Sequence, residues 1–307
     1  MKKVALLFSG QGSQYINMGK ELYDNSLLVQ KMYNDATDIL GYNLNDICFQ
    51  ENSLLNLTKY TQPAIVVTSC AMYEAFKDKF DFTPTVMAGF SLGEYSALYA
   101  TEVFSFTYII SLIKVRAEAM HVASQNSEGG MAAIIGMNRD TLETVVQDIP
   151  DVWIANYNSP NQLVVAGKAA SVNILCEKAK ANGAKRAIVL NVSGAFHTPL
   201  MGEAAEALYQ KVLTMNYNKP LVDIIMNCNA EPLDIKDLPK LMKKQIESSV
   251  YFEDTIRKMI NDYQIETFIE IGPGNVLTGL VRKIDNTKKT INLDKYSDLI
   301  NLRLEDI

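Results

Sequence analysis

Short apolar runs, each closed by glycine and followed by a longer stretch of helical periodicity, set the limits on what this chain can fold into. Val4 to Phe8 is one such run, closed by Gly10-Gln11-Gly12, and Thr85 to Gly89 reads as a second short buried strand. A run that is apolar at consecutive positions buries both of its faces. Helical patterns lie around 17–24, 27–40, 62–80 and 105–122, with Pro63 expected in the first turn of the third, where a missing N–H costs little. Repetition of strand, turn and helix predicts the α/β class, with a parallel sheet covered on both faces. The 307 residues are 48% hydrophobic and 21% charged. That is enough chain for about two domains and a sizeable core. It excludes a disordered chain, a collagen and a disulfide-rich mini-protein.

The middle of the chain follows a different order. Met131 to Gly136 reads as a strand and 138–148 as a helix. Val152 to Asn156 and Gln162 to Ala166 read as strands joined by a turn at Asn158-Ser159-Pro160. Ala169 to Ala181 is helical, capped by Gly183, and Arg186 to Val192 is a last strand. This β-α-β-β-α-β order is the ferredoxin-like pattern. It predicts an inserted subdomain over 126–193, hinged at Gly129-Gly130 and Ser193-Gly194, inside a discontinuous large domain of 1–125 and 194–307. The large domain resumes with a helix at 199–213, a strand at Val222 to Asn227, helices near 237–247 and 252–262, and a strand at Thr267 to Ile271. Gly272-Pro273-Gly274 then turns the chain into a helix over about 275–284, and the tail beyond is polar and weakly patterned.

Charge and cysteine content narrow the class further. Lysine and arginine total 29 against 35 acidic residues, a net charge of −6, whereas nucleic-acid binding usually shows a basic balance. Cys48, Cys70, Cys176 and Cys228 form no C-x-x-C pair, so neither a zinc site nor a disulfide framework is expected. The five apolar residues after Lys2-Lys3 fall short of the roughly 7–15 of a signal-peptide core. No stretch approaches the ~18 apolar residues of a membrane span. The expectation is a cytoplasmic protein, with monomer as the default state.

Four features can carry chemistry. Gly89-Phe90-Ser91-Leu92-Gly93 is G-x-S-x-G between an apolar strand and a helix, the context in which a sharp turn exposes a serine hydroxyl at a helix N-terminus. Its bland alternative is a serine capping a helix. A serine nucleophile needs a base, and the chain has two histidines. His121 sits near a helix end and reads as a surface residue. His197 lies in Gly194-Ala195-Phe196-His197-Thr198-Pro199, a loop between strand and helix, where catalytic side chains of α/β folds collect. Gly10-Gln11-Gly12-Ser13-Gln14 lacks the third glycine of a dinucleotide fingerprint, since Tyr15 stands there. A loop whose backbone N–H groups face an anion or oxyanion near the sheet's C-terminal edge is the better reading. Arg116, one of six arginines, interrupts an otherwise apolar helix. It needs either a ligand or an ordinary ion pair.

Six segments in order, FSGQGSQ (8–14), GFSLGEY (89–95), LIKVRAEAM (112–120), NYNSPNQLVVAG (156–167), GAFHTPLM (194–201) and IGPGNVLTGL (271–280), resemble the malonyl-CoA:acyl carrier protein transacylases, over about residues 3–284. The resemblance implies a hydrolase-like large domain with the ferredoxin-like insert, and an active site in the cleft between them. It implies Ser91 as the nucleophile that becomes malonylated and His197 as general base and acid. The backbone N–H groups of Gln11 and Leu92 become the oxyanion hole, and Arg116 the holder of the malonyl carboxylate. Gln245 becomes the residue whose main-chain carbonyl orients the histidine, so no catalytic aspartate is required. Phe196 before the histidine resembles the malonyl-selective version, with little room for a 2-methyl branch. Malonyl-CoA and acyl carrier protein are the implied partners, and thioester exchange implies no metal, redox cofactor or ATP.

The chain departs from the family pattern at three places. Phe90 stands where a histidine is common, Ser9 replaces a common proline, and Ser248-Ser249-Val250-Tyr251-Phe252 replaces a proline-valine-x-tryptophan stretch. Fatty-acid synthesis is the expected setting. The alternatives are a trans-acting acyltransferase of a polyketide synthase and a serine thioesterase, which would require an acid between Ser91 and His197 and gives Arg116 no role. A nucleotide-binding or carrier-interaction module resting on the glycine-rich loop leaves the serine and histidine unexplained. Against an acidic carrier, Lys178, Lys180, Lys185 and Arg186, or Lys240, Lys243 and Lys244, are candidate docking clusters.

Overall fold

The computed structural model describes residues 3–126, 128–192 and 194–307. Two sheets organise it. The first contains five parallel strands, β1 (Val4–Phe8), β2 (Val86–Gly89), β7 (Asp223–Ile224), β8 (Thr267–Ile271) and β9 (Lys289–Leu293), in the order β7-β2-β1-β8-β9. All five residues of β1 are buried. Val4, Leu6 and Phe8 pack into one core, with side chains from the helices Thr58–Lys79 and Phe106–Asn126. Ala5 and Leu7 pack into the opposite one, with the helices Phe252–Asn261 and Val276–Ile284. The two-sided burial expected of a continuous apolar run is therefore realised.

The second sheet contains β3 (Gly129–Ile135), β4 (Val152–Ser159), β5 (Gln162–Lys168) and β6 (Arg186–Val189), in the order β4-β5-β3-β6, all antiparallel. With the helices Arg139–Gln147 and Ala169–Ala181 between its strands, it has the ferredoxin-like order. Ala132, Ile134, Leu163 and Val165 face those helices. Met131, Val164 and Ala166, one position out of phase, join the core of the large sheet's side. The sheet's inner face thus becomes one wall of a cleft.

Several boundaries differ from expectation. Gly129 and Gly130, expected at a hinge, are the first residues of β3, paired with Lys168 and Gly167. Of the other expected hinge, Ser193-Gly194, Ser193 lies outside the described residues and Gly194 is a buried bend. The β4–β5 turn is Pro160-Asn161, because Asn158 and Ser159 continue the strand and Ser159 pairs with Gln162. The helix expected from Gln62 begins at Thr58, which puts Pro63 inside it. The bond lost at Pro63 would have been to the Lys59 carbonyl, in the first turn of the helix. The strand expected over Val222 to Asn227 is ordered as β7 for two residues only; Ile225 then forms an isolated antiparallel bridge with Pro232. The polar tail holds β9 and a helix, Tyr296–Asn301. β9 is an edge strand whose one fully buried residue is Leu293, so its sequence lacks the apolar signal of the inner strands. Among the described residues, no helix is long and apolar enough to cross a membrane. The four cysteines are free and buried.

Candidate active site

The first sheet's C-terminal edge delivers the site. β2 ends at Gly89, the helix Gly93–Ala100 begins four residues later, and Ser91 lies between them at φ +50°. The turn is possible because its flanking residues lack side chains. A Cβ on Gly89 would come within 1.9 Å of the Gly93 carbonyl carbon, and one on Gly93 within 2.0 Å of the Phe8 carbonyl oxygen. The backbone strain at a non-glycine residue with positive φ costs about 1–3 kcal/mol and persists where surroundings over-determine it.

Ser91 Oγ lies 2.7 Å from His197 Nε2. On the other side of the ring, His197 Nδ1 lies 2.8 Å from the Gln245 main-chain carbonyl oxygen. A carbonyl can only accept, so the proton is on Nδ1 and the bare Nε2 accepts from the Ser91 hydroxyl. Gln245 is buried in the helix Leu238–Glu247, and its side-chain Nε2 donates to the Ser91 carbonyl at 2.6 Å. The Gln245 position expected from the sequence is thus next to His197, despite the altered stretch that follows it. That stretch is tied to the second sheet. The Val250 N–H donates to the Ala155 carbonyl and the Tyr157 N–H donates to the Val250 carbonyl, both at 2.9 Å. Tyr251 stacks on Tyr157 with ring centroids 5.0 Å apart.

Electrostatics make His197 a neutral base. Burial pushes its pKa down to about 4, and the Arg116 charge pushes the same way, against the bonds from the imidazole to the Gln245 and Ser248 backbone. Arg116 itself is 1% exposed on the helix Phe106–Asn126. Its Nε and Nη2 have no hydrogen-bond partner, and its guanidinium carbon lies 5.1 Å from the centroid of the Tyr95 ring. Burial lowers its pKa, while Tyr95 and Glu94 raise it. A guanidinium stays protonated even so. Of the two sequence readings of Arg116, the ordinary ion pair is absent among the described residues.

Gln11, Ser91, Arg116, Phe196 and His197 line one cavity of about 170 Å³, closed by the apolar Met120, Met131 and Val164 and by Phe90. Cavities that hold drug-sized ligands start near ~300 Å³, so this one suits a short acyl group. Phe90, in place of a polar residue, packs edge-on against Phe252 with centroids 5.2 Å apart. Leu92 N–H stands ahead of the helix start at Gly93, where the helix supplies it no acceptor. His121 lies away from the cavity, with Nε2 3.2 Å from Gln125 Nε2.

Three polar contributors escaped the sequence reading. Asn156 and Asn158, two positions apart on β4, both face the cavity, and Asn158 Oδ1 is buried without a partner. Their strand alternation was the signal available. Asn227, with Glu94 behind it, contacts the serine turn from another part of the chain. No local pattern marks it. Burial pushes the Glu94 pKa up to about 8, against the lowering effects of the Asn227 N–H and Arg116.

Residues 5–294 match the family described as the acyl transferase domain. The chain is 42% identical to the malonyl CoA-acyl carrier protein transacylase of Bacillus subtilis (strain 168), over 95% of this chain and 93% of that protein. It superposes on the crystal structure of MCAT from Streptococcus pneumoniae with a TM-score of 0.94, at 36% identity, covering 99% of this chain and 100% of that one. It also matches a malonyl-transacylase solved in complex with the type II polyketide synthase acyl-carrier protein AntF, with a TM-score of 0.93 at 32% identity, covering 97% and 98% of the two chains. With this likeness spanning both sheets and all six segments of the site, the chain belongs to the malonyl CoA-acyl carrier protein transacylases of the acyl transferase family.

Proposed function

We propose that the protein transfers a malonyl group from malonyl-CoA to the phosphopantetheine thiol of an acyl carrier protein through a malonyl-Ser91 ester, in fatty-acid synthesis. The observation that carries this reading is the serine–histidine–carbonyl relay lining the same small cavity as a buried guanidinium whose Nε and Nη2 have no hydrogen-bond partner.

The chemistry runs in two halves. The Ser91 hydroxyl adds to the malonyl thioester carbonyl while His197 Nε2 takes its proton. The N–H groups of Gln11 and Leu92 meet the tetrahedral oxyanion, an interaction whose single donors are typically worth ~10²–10³ in rate. The C–S bond then breaks, and His197 returns the proton to the coenzyme A sulfur. In the second half the carrier thiol gives its proton to His197 and attacks the ester carbonyl, and Ser91 leaves with that proton. Arg116 holds the malonyl carboxylate with two parallel charge-assisted bonds. The Phe196 ring crowds the α-carbon against a methyl branch. One thioester replaces another, so the reaction draws on no metal, redox cofactor or ATP.

A covalent intermediate predicts ping-pong kinetics. Initial rates at several fixed carrier concentrations should give parallel double-reciprocal lines against malonyl-CoA, whereas lines that converge left of the axis would point to a ternary complex. The carrier of polyketide synthesis is the second reading, favoured by the solved relative bound to such a carrier. Comparing kcat/KM for a fatty-acid and a polyketide carrier separates the two.

The depressed His197 pKa sets the pH dependence. The base form persists above about 4, so kcat/KM should fall only as pH drops through about 4, well below the ordinary imidazole range. Removing the nearby positive charge in Arg116→Ala should move that fall upward, as measured by brief stopped assays across acidic buffers. An acid limb near the ordinary imidazole value in the unsubstituted protein would contradict the burial of His197.

A further inference from the structure

The strained serine is held from behind by a side chain that the chemistry does not touch. Asn227 follows β7 and has no exposed surface. Its Oδ1 accepts the Ser91 N–H at 2.6 Å, and its Nδ2 donates to the Gly89 carbonyl at 2.7 Å. Its own N–H donates to Glu94 Oε2 at 2.6 Å, and its carbonyl accepts the Tyr251 N–H at 2.9 Å. The side-chain oxygen, side-chain nitrogen, N–H and carbonyl of Asn227 therefore each have a partner on the turn, on the helix that it opens or at Tyr251. The side-chain amide spans the first and third residues of the turn, and few side chains can do this. The span needs an acceptor toward an N–H and a donor toward a carbonyl on the same planar carbon. Aspartate offers only acceptors when ionised, and leucine offers neither.

We propose that Asn227 is a positioning residue for acyl transfer. It clamps the Ser91 backbone in the left-handed conformation that aims Oγ at His197, and by occupying the Ser91 N–H it leaves the donors of Gln11 and Leu92 to meet the oxyanion. Glu94, at the start of the helix that the turn opens, fixes the Asn227 backbone in turn. The helix start, the serine and the chain after β7 then form one unit. This role rests on the reading of Ser91 as the nucleophile.

Two variants and two reagents test it. Asn227→Ala loses both side-chain bonds. Asn227→Asp keeps the volume and the acceptor toward Ser91 but loses the donor toward Gly89. Malonylation of Ser91 in single turnover is expected to slow about 10²-fold in N227A and about tenfold in N227D, the scale of a ~1 Å misplacement of a reacting group. The Kd for malonyl-CoA should stay within about twofold, because Arg116 and the cavity walls are untouched. Labelling of Ser91 by a fluorophosphonate, which uses the serine, the base and the oxyanion donors but not Arg116, should slow in parallel. Should N227A fail to fold, N227D decides the matter alone. Limiting rates within about twofold of the parent in a folded variant, or a loss confined to Kd, would overturn the positioning role. If the unsubstituted protein takes up no malonyl group, the transferase reading fails, and the fluorophosphonate rates still decide the role of Asn227.

Discussion

Replacing His197 by alanine is expected to slow malonylation of Ser91 by at least about 10⁴-fold, the scale on which serine enzymes lose rate when their base is removed. The bare Nε2 lies 2.7 Å from Oγ and faces the only hydroxyl that the cavity offers as a nucleophile among the described residues. Without it the serine proton has no acceptor, and the departing sulfur has no donor. His121→Ala should keep the parent rate, because that ring lies outside the cavity. Quenched single-turnover reactions followed by intact-protein mass compare the two variants directly. A slow H121A and a fast H197A would reassign the base.

The second large effect concerns selectivity. Arg116→Ala should lower malonyl transfer by about 10²–10³-fold, because truncating one partner of a buried charge pair costs ~2–5 kcal/mol, much of it the penalty of leaving the other charge alone. Residual acetyl transfer has no carboxylate to lose and should change far less. The argument depends on burial, since the same pair at the surface would be worth only ~0–1 kcal/mol. Arg116 is 1% exposed, lines the cavity, and has no competing carboxylate bonded to its unpartnered Nε and Nη2. Measuring kcat/KM for malonyl-CoA and acetyl-CoA in parent and variant checks this. Equal losses for both donors would refute the carboxylate role.

Much of this arrangement is legible in the sequence where local chemistry is unambiguous. β8 and the helix Ala169–Ala181 fall on the expected residues, because one is an apolar run between turns and the other ends at a glycine with φ +98°. The serine turn is legible because its glycines and serine form a recognisable local pattern, although only Gly89 answers a demand made within the turn, and Gly93 makes room for the Phe8 carbonyl of β1. β9 is not, since an edge strand with one fully buried residue has no apolar run to betray it. Asn227 is not legible either. Its value comes from meeting Ser91 across 136 positions of chain, and nothing near it in sequence announces the contact. Gln245 is a middle case. A main-chain carbonyl leaves no mark in residue type, and only the resemblance to a family pointed to it.

The central claim is a malonyl ester on Ser91. Intact-protein mass after mixing with malonyl-CoA tests it most directly, with acetyl-CoA and a Ser91→Ala variant alongside. A single malonyl adduct on the unsubstituted protein, absent from the variant and discharged on adding acyl carrier protein with its phosphopantetheine arm, is the expected result. Malonate released into solution without transfer to the carrier, or an adduct that persists in the Ser91→Ala variant, would contradict it.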